Sequence, residues 1–152
     1  MYLKSLSKCE LYIGNYPKFD YDARGGGGCG VTSRQGEGSN LRITFEPKSF
    51  YIPPLNWKTT KLLGLPMPPG LQISVAPYIL NGNCDLRSGE ISLWMEANFI
   101  FSIFSLIKAP NLVVKTCLKT KKVITKYHQA LGKPIQKDGM TTLAGVSIVP
   151  PT

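Results

Sequence analysis

His128 is the only histidine of the chain, and Cys9, Cys29, Cys84 and Cys117 are its only thiols. A Cys–His or Ser–His pair would supply a nucleophile and its base once a fold brought the two within hydrogen-bond reach. His128 stands beside Tyr127 in a lysine-rich stretch, the usual setting of a surface residue. The cysteines lie far apart with no C-x2-C separation, so neither a zinc site nor a dithiol redox motif is indicated. Glu90 and Glu96 share one side of an extended segment, but six residues of strand separate them by about 20 Å, too far for a paired-carboxylate hydrolase. Lysines of an adjacent strand are their expected partners. The run Arg24 to Gly30 contains four consecutive glycines, and a phosphate-cradling loop would follow them with Lys and then Ser or Thr. Val31-Thr32-Ser33-Arg34 follows instead. A non-enzyme is expected, with no metal and no cofactor.

Charge points to a different kind of function. Eighteen Lys plus Arg against nine Asp plus Glu give a net charge of +9, and no acidic residue falls between Ala97 and Lys137. Lys108, Lys115, Lys119, Lys121, Lys122, Lys126, Lys133 and Lys137 all lie in that stretch. Such a field raises the encounter rate with an acidic protein or an anionic membrane surface. Lysine outnumbers arginine fourteen to four, which suits diffuse attraction rather than bidentate reading of bases, so sequence-specific nucleic-acid binding is not expected. Tyr2 to Ile13 is interrupted by Lys4, Lys8 and Glu10 and does not read as a secretory signal, so a non-secreted protein with reduced thiols is expected. The longest apolar run, Phe99 to Ile107, contains two serines and is too short for a membrane-spanning helix.

The elements that must position these groups are strands. Ile91, Leu93, Met95, Ala97, Phe99, Phe101 and Ile103 fall on every second residue, the period of a strand that buries one unbroken apolar face. Leu41, Ile43 and Phe45 repeat the pattern up to Pro47, Leu71 to Ile79 begins a further strand, and Val114, Thr116, Leu118 and Thr120 form another. Asn81-Gly82-Asn83 and Ser88-Gly89 carry hairpin-turn chemistry, and Lys108 to Asn111 reads as the turn after the long strand. That turn would set Phe101 opposite Leu118. Residues 24–40 read as a mobile Gly-rich loop, and 53–70 as a long Pro-rich connection with one helical turn at Thr59 to Leu63. Val123 to Leu131 suits either a short helix or a frayed strand, and Met140 to Val149 a last strand. The 15 glycines and 12 prolines exclude long helices. A single all-β domain over 1–152 is expected, an antiparallel barrel or curled sandwich of about seven or eight strands, with Phe45, Leu93, Phe99, Phe101 and Leu118 in its core.

Pro68-Pro69-Gly70-Leu71, Asp85 through Ile91, Ala109 to Val114, and Leu143 to Val146 with Val149 to Thr152 resemble β-rich proteins of cyanobacteria and of algal or plant plastids. The resemblance covers the second half of the chain. It implies a photosynthetic source and a plastid stroma or thylakoid-side location, with cytoplasm as the other expectation, and it carries no catalytic residue. The functional expectation is an accessory or assembly subunit that docks through a basic face. Its expected partner-binding residues are Lys115, Lys119, Lys121, Lys122 and Lys126, together with Trp94, Ile100 and Phe104 on the side of the long strand turned away from the core. The alternative is a carrier of a lipid or pigment inside a barrel.

Overall fold

Period-two patterning produces antiparallel sheets throughout the computed structural model, which describes residues 1–12, 18–36, 38–125 and 129–147. Among these residues the chain forms strands and no helix. The strands are β1 (Tyr2–Lys4), β2 (Cys9–Leu11), β3 (Phe19–Tyr21), β4 (Gly27–Arg34), β5 (Asn40–Tyr51), β6 (Thr60–Leu62), β7 (Leu65–Pro66), β8 (Leu71–Asp85), β9 (Ile91–Ile103), β10 (Ile107–Lys108), β11 (Leu112–Lys119), β12 (Val123–Ile124) and β13 (Gln129–Ala130). The main sheet runs β1-β4-β5-β8-β9-β10, with β11 also paired to β9, and it does not close on itself. A smaller sheet runs β2-β3-β6-β7, and β12 pairs with β13. The fold is therefore all-β, and among the described residues the main sheet is open rather than a closed barrel.

Alternation decides which side packs. Ile43 and Phe45 of β5, Leu80 and Cys84 of β8, and Ile91 and Leu93 of β9 form one buried cluster. Ile135 and Leu143 cover it from the C-terminal segment, and Met1 and Leu3 from the N-terminus. Phe45 and Leu93 are thus core residues as expected, whereas Phe99, Phe101 and Leu118 are only half-buried. For the two phenylalanines the reason is length: β8 and β9, at 15 and 13 residues, run past the segment that covers them, whereas Leu118 packs on the cluster from β11 opposite Leu93. Phe101→Ala should accordingly cost about 1.5–2.5 kcal/mol, less than the 3–5 kcal/mol typical of a fully buried phenylalanine. Urea unfolding at constant m-value would measure it, and a loss above about 4 kcal/mol would show that something covers the far half of β9.

Several local expectations are corrected by the pairing. The turn after β9 lies at Phe104 to Leu106, where Leu106 N donates to Ile103 O at 3.1 Å, and not at Lys108 to Asn111. Leu118 consequently faces Leu93, and Phe99 faces Leu112. The register moves by eight residues, and because eight is even each side chain keeps its face. Asn81-Gly82-Asn83 lies inside β8, and only Gly89, at φ 75°, serves the turn. Gly82 is needed for close approach, since a Cβ there would run into the Ser92 carbonyl oxygen. Pro47 does not end β5; it stands in the irregular stretch between Phe45 and Phe50, where a missing N–H costs no ladder bond.

The Gly-rich segment is a strand rather than a loop: Gly27 and Gly28 pair with Lys4 and Leu3 on one side and with Tyr51 and Phe50 on the other. The Pro-rich connection also carries strands, β6 and β7, in place of a helical turn, and Leu55 bridges Ile73. Val123 to Leu131 yields the short β12–β13 pair. Met140 to Ser147 forms no ladder; Thr142 and Ala144 make single bridges to Lys133 and Lys119.

Candidate functional site

The outer face of the main sheet collects the polar side chains that alternate with the core. Arg42 of β5 pairs with Asn83 of β8, Asn83 with Ser92 of β9, and Ser92 with Lys119 of β11. One cross-strand row thus holds hydrogen-bonding groups throughout and a cation at each end, about 14 Å apart at normal strand spacing. The next row is Thr44, Asn81, Trp94 and Cys117. Arg42, Asn81, Gly82, Asn83, Ser92, Trp94 and Cys117 line a shallow groove of about 270 Å³ across these two rows. Gly82 reaches the groove only through its backbone, because it pairs with Ile43 and Leu93 in the buried row.

Trp94 is 41% exposed, and its Nε1 donates to Glu96 Oε2 at 3.1 Å. Lys115 Nζ lies 3.4 Å from Glu96 Oε1. The carboxylate therefore orients the indole and neutralises Lys115, which leaves Arg42 as the charge in the groove lining and Lys119 as the cation beside it. The expectation that Glu96 faces a lysine of an adjacent strand is met. Cys117 Sγ lies 3.5 Å from Ser92 Oγ, a weak polar contact. A second groove of about 250 Å³ adjoins the first at Asn83 and Ser92, and is lined further by Asp85, Glu90, Lys119 and Lys121. Ser39 donates to Asp85 Oδ1 at 2.6 Å, and this bond, with the Arg87 amide, holds the Asp85 carboxyl below its ordinary range.

Of the expected partner-binding residues, Trp94, Lys115 and Lys119 come together on this face. Lys121 stands at the rim and Lys122 on the exposed bend beyond β11. Ile100 is on the same side of β9 but six residues from Trp94, opposite Ser74. Phe104 is not on the strand face at all; it occupies the turn with φ 51°. Lys126 and His128 lie outside the described residues. Arg42, Asn81, Asn83 and Ser92 were missed as site residues, although Arg42 already alternated with Leu41 and Ile43; only the pairing shows that it shares a row with Lys119.

All four cysteines are free thiols, and burial raises the pKa values of Cys9 and Cys84, which disfavours the reactive thiolate. No group of three or more His, Cys, Asp or Glu side chains that could hold a metal occurs among the described residues. Also among the described residues, no helix is long and apolar enough to cross a membrane. No family model, curated protein or solved structure matches the chain.

Proposed function

We propose that the protein is a non-catalytic docking subunit whose outer sheet face binds an acidic protein surface. The observation that carries this reading is the row Arg42-Asn83-Ser92-Lys119, two cations with neutral donors between them, running beside Trp94. Tryptophan and arginine are the residues that most often anchor protein interfaces, and cations flanking a shallow groove steer an acidic partner into it. Lys121 and Lys122 extend the field beyond the end of β11. A plastid or thylakoid-side setting is the location that the resemblance implies for such a subunit.

Charge reversal tests the reading. Arg42→Glu with Lys119→Glu is expected to abolish capture of the partner from native extract while leaving thermal unfolding within about 2 °C of wild type, because both side chains are exposed. Wild-type capture is expected to weaken as salt rises, since such a field is screened over about 8 Å at physiological ionic strength. Retention of the same partner by the double variant, or capture indifferent to salt, would refute it.

A further inference from the structure

At the other end of β9 the chain exposes a row of apolar side chains. Phe104, Leu106 and Ile107 are 67%, 86% and 66% exposed, and they form the tip of the β9–β10 hairpin. Its central residues, Phe104 and Ser105, have φ 51° and 61°. Asn, Asp or Gly would take that conformation with little strain, so folding alone does not select an aromatic there. The turn is nevertheless well held. Phe104 N donates to Gly70 O at 2.8 Å, and the Phe104 ring occupies the space where a Gly70 Cβ would stand. Leu106 and Ile107 are thereby held outermost.

Nearby turns share this character. Leu65 is 69% exposed and five residues from Gly70, hence at most about 17 Å from the residue that Phe104 covers. Leu63, also exposed, takes φ 53° in its own turn. Trp57 is half-exposed with Lys58 Nζ 5.4 Å from its ring centroid, two residues from Leu55, which bridges Ile73 of β8. Lys108 directly follows the hairpin tip, and no acidic residue occurs between Pro47 and Cys84 or between Ala97 and Lys137, the segments that build this end. Asp20 approaches from the small sheet, opposite Lys61, and is engaged by Lys18 at 3.4 Å.

We infer that this end of the protein contacts an anionic lipid bilayer, with the Phe104–Ile107 tip entering the interface. The side chains project from separate turns rather than forming one flat patch. A protein partner would need a matching pocket for each, whereas the headgroup and acyl boundary deforms around them. Lysines beside apolar residues and a tryptophan are the combination that an anionic interface favours. The site is independent of the outer-face groove, because the eleven residue steps from Ser92 to Ile103 span about 36 Å, several screening lengths.

Co-sedimentation with phosphatidylcholine vesicles, with and without phosphatidylserine, tests the inference on the whole chain. Wild type is expected to sediment with the serine-containing vesicles. Leu106→Ser with Ile107→Ser is expected to lower the partition coefficient by about tenfold or more with unchanged thermal unfolding, and Leu106→Ser alone by a smaller factor in the same direction. Arg42→Glu with Lys119→Glu should stay within about twofold of wild type, given the distance. Wild type remaining in the supernatant with both vesicles, or an undiminished tip variant, would overturn the inference. Vesicle binding lost in the groove variant but kept in the tip variant would overturn it as well, and would move lipid contact to the groove. Failure of the groove variant to lose its protein partner bears only on the docking face.

Discussion

Leu93→Ala is expected to destabilise the protein by about 3–5 kcal/mol. Leu93 is 1% exposed at the centre of the main sheet, paired to Gly82 on one side and Leu118 on the other. Truncation removes the transfer free energy of three carbons and leaves a cavity walled by the buried neighbours Ile43, Phe45, Leu80, Cys84 and Ile91. The wall has little freedom to collapse. Gly82 offers no side chain to move in, and the β8 and β9 backbones already touch across that pair. The same substitution at Phe101 removes a larger side chain at smaller cost, because that side chain is only half-buried. Parallel urea titrations of the two variants should therefore rank Leu93→Ala as the more damaging. The opposite ranking would mean that the centre of the core lies toward Ile103.

What the sequence disclosed was local periodicity, and what it concealed was pairing. The alternation in Ile91 to Ile103 fixes which side chains share a face, and the inward set is indeed the buried one near Leu93. Register depends instead on where the turn closes, and the turn after β9 is built from Phe104 and Ser105, residues that carry no turn signal. Asn81-Gly82 carries one of the strongest and lies within a strand, because a close neighbouring backbone needs the same missing side chain as a tight turn. Gly27 and Gly28 were misread for that reason too, since a Cβ at either would meet neighbouring backbone, whereas Gly25 does serve a turn. Pro47 was taken as a strand end, since only the pairing reveals the irregular stretch that tolerates it. The candidate groove draws on four strands distant in sequence, so Trp94 and the lysines were visible singly while their alignment with Arg42 was not.

The two proposed contacts divide the molecule along β9. The polar row and Trp94 stand near its start, and the apolar tip follows its end, with half-buried Phe99 and Phe101 between. An elongated pair such as β8 and β9 sets two surfaces apart and holds them rigidly, because each strand is braced by its neighbour over thirteen residues. A subunit that joins an acidic protein to a lipid surface requires that separation, since the partner must clear the headgroups. The half-buried apolar stretch of β9 is then a consequence of reach.

Deleting Gly25 to Gly28 is expected to be more damaging still, on the order of 5 kcal/mol, within the range of a whole domain's stability. Closure entropy alone would predict little, since shortening a loop by four residues changes it by well under 1 kcal/mol. The segment, however, belongs to the sheet. Its loss removes the rungs that tie β4 to Leu3 and Lys4 of β1 and to Phe50 and Tyr51 of β5, several hydrogen bonds at about 0.5–1.5 kcal/mol each. Ser5 N also donates to Gly26 O at 3.1 Å, so β1 loses its anchor at both positions. Met1 and Leu3, which pack half-buried on the core, would then be exposed, each at less than the roughly 1.5–3 kcal/mol of a fully buried side chain. Gly28→Val separates strand identity from chain length, because it shortens nothing and only places a side chain against Ser49 O and the Phe50 ring. Both variants should melt well below wild type. A deletion that left the melting temperature within about 2 °C, with a harmless Gly28→Val beside it, would return the segment to the status of a loop and detach β1 from the sheet.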